Sequence, residues 1–228
     1  MTRVKLECSK VSALRDRLDA VARELPIAGA QPERADARRN RERILAAAAE
    51  LIAERGLGQV RMDEVAARAG VAKGTVFQRF GNRAGLAVAL VDSSERRLQD
   101  ALLAGPPPLG PGAPPADRLR AFLGALLELT IANLELLLIS DYDSPGDRYR
   151  TGAYAAWRLH VSVLLQDAGH PSARADGLAH LVLAPLAADL VRHRLRDEGA
   201  EAATLEAELD VLASVVAAKS KPRTRRRK

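Results

Sequence analysis

The sequence is poor in the residues that staple small extracellular domains and that line most catalytic sites. Its 228 residues include one cysteine, Cys8, so no intrachain disulfide can form and a reducing compartment is expected. Phe, Trp and Tyr together make up 3% of the chain, which argues against the aromatic-rich patterning of strands. No run approaches the roughly 18 uninterrupted apolar residues of a membrane span. The opening MTRVKLECSKVSALRDRLD is charged throughout and lacks an apolar signal core, so a cytoplasmic location is expected. His160, His170, His180 and His193 are scattered without metal-ligand spacing. No glycine-rich phosphate loop follows a strand pattern, and Cys8 is poorly placed for a nucleophile. The expectation is no metal, no cofactor and no enzyme.

What is abundant is apolar. Such residues are 47% of the chain, with Ala and Leu foremost, which favours helices and supplies a core. The length allows one large domain or two modest ones. The net charge of +6 is unevenly spread: +1 over residues 1–33, +4 over 34–92, −6 over 93–218 and +7 over 219–228. An acidic body therefore carries a basic module and a basic tail, a pattern that suits a polyanion partner. A solubility tail on an arginine-rich chain gives the same pattern.

Along the chain, KVSALRDRLDAVAREL (10–25) sets Val11, Leu14, Leu18, Val21 and Leu25 on a two-heptad apolar seam that Pro26 ends. It is too short for an independent coiled coil. A helix is expected over Ala37–Arg55, with Ile44, Leu45, Ala48, Leu51 and Ile52 as its apolar face and Gly56 as its stop. Further helices are expected over Met62–Ala69, over Lys73–Phe80, and from an N-cap at Asn82 to Leu103. The run GPPPLGPGAPP breaks the chain over 105–115. The remaining helices are placed at Ala116–Ser140, Pro145–Ala168, Ser172–Glu198 and Glu201–Lys219, followed by the charge-repelling tail KSKPRTRRRK.

Helices as short as Met62–Ala69 and Lys73–Phe80 are unstable alone, since about 12–15 residues are marginal in water. They survive by sharing a core: Val65, Ala66, Val76 and Phe80 against Ile44, Leu45 and Ile52. With the tight Gly70-Val71 turn between them, they read as a helix-turn-helix whose second helix enters the DNA major groove. Such a helix meets DNA with its N-terminal end. Gly74 lets the backbone come close, Thr75 suits a base methyl or a phosphate, and Lys73 suits guanine edges or phosphate. Gln78 and Arg79 lie one turn on. Arg83 opens the next helix, where free amides favour a phosphate. The candidate DNA contacts are Arg38, Arg61, Lys73, Gly74, Thr75, Phe77, Gln78, Arg79 and Arg83. A three-helix module that contacts protein is the alternative.

RILAAAAELIAERG followed by MDEVAARAGVAKGTVFQRFGNRAGL resembles the DNA-binding end of the TetR family of transcriptional regulators. Ile44–Gly56, Val65–Phe80 and Arg83–Leu86 carry the match across three helices. Three positions depart from the family pattern. Arg61 stands where Thr or Ser usually caps the second helix, leaving Glu64 without its capping-box partner. Ala72 replaces the usual Ser cap, and Phe77 replaces the usual Tyr, so affinity is expected to lean more on arginine.

The resemblance implies an all-α protein: an N-terminal extension (1–36), a helix-turn-helix domain (37–85), a ligand-binding and dimerisation domain (86–218) and a basic tail (219–228). It implies a homodimer on a palindromic operator, released as a repressor by a small molecule that shifts the spacing of the recognition helices. LAHLVLAPLAADLV (178–191) adds support, being apolar nearly all round. It should be covered on two sides and pair with Leu205, Leu209, Leu212, Val215 and Val216 across a two-fold axis. A central helix in a monomer would look similar. Pro185 predicts a kink there. Phe122, Tyr154 and Trp157 are candidates for an effector pocket wall, with Asn133 and His160 as polar anchors. Ordinary core filling accounts for them equally. Asp141 and Asp143 beside Tyr142 suit either a cationic ligand or a solvated turn. Two other functions remain open: a protein that compacts any duplex through its tail, and an enzyme using carboxylates of the helical body.

Overall fold

Helix formation follows the alanine and leucine content. The structure is a computed structural model that describes residues 35–143 and 146–218. The seam at 10–25, Cys8 and the tail at 219–228 lie outside the described residues, as do the side chains of Asp141, Tyr142 and Asp143. Helix α1 spans Ala35–Arg55 and stops where the Gly56 amide donates to the Ile52 carbonyl at 2.7 Å. A 3-10 turn over Leu57–Gln59 leads to α2 (Met62–Ala69) and α3 (Lys73–Phe80). Helix α4 covers Arg83–Ala104, and the Asn82 side chain accepts from the Gly85 amide at 2.9 Å. A side chain at position 85 would collide with the Phe80 carbonyl, so only glycine fits this helix entry.

The first core gathers Ile44, Leu45, Leu51, Val65, Ala66, Val76, Phe80, Leu86 and Leu90, with Ile52 at its edge. That is the shared core which short helices require. The second core begins further along α4, at Leu98 and Leu102, and continues through α5 (Pro115–Ala132). Then come α6 (Leu134–Asp143), a 3-10 turn at Asp147–Arg150, and α7 (Gly152–Asp167). They are followed by α8 (Ser172–Leu183), a 3-10 turn at Ala184–Leu186, α9 (Ala188–Arg192), a π-turn at His193–Asp197 and α10 (Ala202–Ala217). Helix α8 packs along α7, and α10 packs along α5. The described residues form no strand. None of their helices is long and apolar enough to cross a membrane.

Three helices differ from the sequence-based expectation. Ala116–Ser140 is divided at Asn133, whose φ of −116° and ψ of 19° leave the helix. Its side chain donates to the Leu129 carbonyl at 2.8 Å, and its own carbonyl accepts the Leu136 and Leu137 amides. Local bonding of this kind lets asparagine end one helix and begin the next. The helix expected from Pro145 starts instead at Gly152. Gly146 is left-handed at φ 86°, and Thr151 supplies the cap by accepting from the Tyr154 amide at 3.2 Å. The third, Ser172–Glu198, is interrupted and not merely kinked. Pro185 offers no amide, Ala187 turns extended at ψ 132°, and the chain restarts as α9. The stretch 178–191 is thereby two-sided: Val182, Leu183, Leu186 and Val191 are buried, while Leu181 is 67% exposed.

Phe122 is fully buried at the centre of the second core. Phe122→Ala should cost about 3–5 kcal/mol of stability, read as a lowered urea midpoint. A loss below about 1 kcal/mol would show that the surrounding core does not depend on the ring.

Candidate nucleic-acid interface

Between α2 and α3 the chain turns on Gly70, which adopts φ 63° and ψ 41°. Its amide donates to the Ala67 carbonyl at 3.2 Å, and the Val71 amide reaches back to Ala66 at 3.0 Å. A left-handed residue ending a helix is the ordinary use of glycine. Arg43, on α1, seals the turn from outside: its guanidinium donates to the carbonyls of Ala69 at 2.5 Å and Gly70 at 3.3 Å. A Cβ at position 70 would stand 2.8 Å from that guanidinium.

Helix α3 divides cleanly into two faces. Val76 and Phe80 are buried against α1 and α2. Lys73, Gly74, Phe77 and Gln78 face outward, and Thr75 and Arg79 are half-buried beside them. The leading edge is therefore open, and a Cβ at Gly74 would meet nothing within 4 Å. Lys73 lies 5.7 Å from the centre of the Phe77 ring, a cation–π contact, and 3.9 Å from Asp63. The ring, 41% exposed, thus supports the lysine beside it.

The arginines behave differently from one another. Arg38 is exposed and pairs loosely with Glu42 at 3.7 Å. Arg61, 73% exposed, lies 3.4 Å from Asp63. Arg79 donates to the Ala37 carbonyl at 2.9 Å, tying α3 to the start of α1. Arg83 donates to the Gly58 carbonyl at 2.6 Å. Arg79 and Arg83 therefore already serve the fold. At the start of α2 a guanidinium cannot accept a hydrogen bond, so Arg61 gives no side-chain cap. Glu64 still performs its half of the box by accepting the Arg61 amide at 3.4 Å, and it also takes Arg55 at 3.3 Å. Asp63 is held below the usual carboxylate range, by its own backbone amide first and then by the Arg61 and Lys73 charges.

Sequence reasoning missed Arg43, Arg41 and Asp63. Arg41 stacks 5.6 Å from the Phe80 ring centre. The contacts of Arg43 span 26 and 27 residues, beyond any local pattern. Asp63 was readable as a first-turn carboxylate, but not as the partner of two cations.

In the helical body the structure brings Phe122, Trp157 and His160 together. Phe122 lies 5.8 Å from Trp157 and 5.0 Å from His160, ring centre to ring centre. His160 is 2% exposed, its Nε2 has no hydrogen-bond partner, and burial, with the Arg118 charge behind it, pushes its pKa down to about 3. Tyr154 turns aside to His180, its hydroxyl 2.8 Å from Nδ1. Asn133 is separate again, at the rim of a 270 Å³ hollow with Ser94, Arg97, Glu128 and Leu129. A larger hollow of 590 Å³ lies on α5 and α10, at Arg120, Asp210, Val211, Ser214 and Val215. Neither hollow is lined by the aromatic group.

Residues 44–90 match the sequence model of bacterial regulatory proteins, tetR family. No curated protein matches the chain by sequence. A transcriptional regulator from Rhodococcus sp. Rha1 shares 25% identity and a TM-score of 0.58, over 77% of this chain and 95% of its own. A transcriptional regulator from Aquifex aeolicus VF5 gives 21% and 0.55, over 78% and 99%. SmeT, solved as a triclosan complex, gives 18% and 0.54, over 77% and 90%. These last two speak for the fold alone. Residues 44–90 thus match the DNA-binding end of the tetR-family regulatory proteins, and the chain shares its overall fold with solved transcriptional regulators.

Gly70→Ala forces a side chain into left-handed backbone, at about 1–2 kcal/mol, and displaces Arg43. Chemical unfolding should show that loss, and a mobility-shift titration on duplex DNA should show weakened binding. Unchanged affinity with reduced stability would mean that the turn does not set the α3 presentation.

Proposed function

We propose that this regulator is a homodimeric repressor that reads a palindromic or near-palindromic operator through residues 37–85 and releases it when a small molecule enters residues 86–218. The exposed leading edge of α3 carries the reading. Lys73, Gly74, Thr75, Phe77 and Gln78 form the base-facing group in this proposal. Arg38, Arg61, Arg79 and Arg83 serve the backbone, the last two also bracing the fold. Two such helices one duplex turn apart, about 34–36 Å, would engage successive major grooves.

Exposed apolar side chains support pairing of two copies. Leu181 on α8 and Val211 and Val215 on α10 are 67%, 64% and 68% exposed. Val211 and Val215 are one turn apart and so share a stripe. Large apolar side chains clustered on neighbouring elements mark association surfaces. For the effector, Phe122, Trp157 and His160 offer an apolar interior with one unused ring nitrogen, Tyr154 adds a hydroxyl, and Asn133 opens on the nearby hollow. The triclosan complex of SmeT, a protein of the same fold, fits a small apolar effector. Helix α4 supplies the coupling, because Leu86 and Leu90 belong to the first core and Leu98 and Leu102 to the second. A cytoplasmic location suits a protein with this task.

Selection from a random DNA pool should yield one defined motif with two-fold symmetry. Lys73→Ala or Thr75→Ala should weaken binding to it by roughly tenfold, within the ~1–3 kcal/mol of a base or phosphate contact. Equal capture of every duplex would point instead to DNA compaction.

Val211→Arg places a charge in the proposed dimer face. Light scattering should show twice the chain mass for the native protein and a monomer for the variant. A native monomer would remove the dimer from the proposal.

A further inference from the structure

Asp63 stands where a carboxylate is least welcome to a duplex. It lies in the first turn of α2, the helix expected to cross the DNA backbone, and is 40% exposed. Its two oxygens face cations from two elements. Arg61 Nε approaches Oδ1 at 3.4 Å, and Arg61 Nη2 donates to Oδ2 at 3.4 Å. Lys73 Nζ, from the leading edge of α3, lies 3.9 Å from the same Oδ2. The neighbouring Glu64 is occupied otherwise, by the Arg61 amide and by Arg55. Asp63 thus gathers two of the side chains assigned to DNA contact.

We propose that Asp63 is a built-in competitor of DNA phosphate, holding Arg61 and Lys73 in the free protein and surrendering them on the duplex, so that it caps affinity for any DNA. The inference rests on the reading of Lys73 and Arg61 as DNA contacts. Exposed ion pairs are weak, so Asp63 yields readily and does not block binding. It nevertheless opposes binding in two ways. Each cation must exchange a carboxylate for a phosphate, gaining less than a free cation would. The released carboxylate then faces phosphates within the screening length of about 10 Å at 0.1 M salt. Asp63 also reduces the net release of ions, because it takes up a solvent cation as Lys73 leaves. The effect is independent of base sequence, since carboxylate and phosphate meet on every duplex.

The test uses the full chain, a random-sequence 30-base-pair duplex and the duplex selected by the native protein. Asp63→Asn should tighten binding to both by about threefold or more, as expected from pairs worth up to about 1 kcal/mol. The logarithm of affinity should fall more steeply with the logarithm of salt, by about one unit of slope. Asp100→Asn removes a remote exposed carboxylate of equal charge and should change binding less. The Asp63→Asn gain should shrink in a Lys73→Ala background. Asp63→Ser, which keeps a first-turn acceptor, should repeat the Asn result. Weaker or unchanged binding by both folded variants would overturn the proposal, as would a gain no larger than that of Asp100→Asn. Failure of both variants to fold would also overturn it, by making Asp63 a structural residue. If Lys73→Ala alone leaves binding unchanged, the underlying assignment of Lys73 fails, and the comparison of Asp63→Asn with Asp100→Asn still judges Asp63.

Discussion

The left-handed turn at Gly70 is the constraint on which the DNA-facing end depends. Helices α2 and α3 have eight residues each, too few to persist alone. They hold because a tight turn lets Val65, Ala66, Val76 and Phe80 converge on one core with α1. The same turn decides which residues of α3 are left outside. Arg43 closes it by satisfying two carbonyls at the end of α2, groups that a helix terminus otherwise leaves without partners. Fold and function are joined here at the level of a single backbone angle.

A second theme is the division of labour among cations. The basic module carries more positive charge than negative, yet its arginines are not alike. Arg43, Arg79 and Arg83 are spent on carbonyls that lie far away in sequence. Arg38, Arg61 and Lys73 keep exposed, loosely paired head groups. Net charge alone does not distinguish the cations that brace the fold from those left exposed. A planar guanidinium with several donors suits bracing and anion binding alike, and the geometry shows which of these groups brace the fold.

The sequence made the DNA-facing end readable because its signals are local. Glycines at 56 and 70, asparagine at 82 and the spacing of apolar residues place α1 to α4 within a few residues of their observed ends. The body was read less well. Asn133 divides a helix through its own hydrogen bonds, without a proline or glycine to announce it. Pro185 was visible, but whether a proline bends or interrupts a helix depends on what its neighbours can repack. Trp157 and His160 are one turn apart on α7 and so share a face, yet their meeting with Phe122 of α5 and the departure of Tyr154 to His180 have no local signal. Long-range partners such as Arg79 with Ala37, 42 residues apart, have no signature in a single sequence.

Helix α4 is 22 residues long, about 33 Å at 1.5 Å per residue, and it is anchored at opposite ends in two different cores. Such a rod works as an amplifier. A tilt of about 5° imposed at Leu98 and Leu102 sweeps the opposite end through roughly 3 Å over that length. In the proposed dimer the two sweeps would add, so that a modest repacking near Phe122 would become a misfit of several ångströms against the fixed pitch of the double helix.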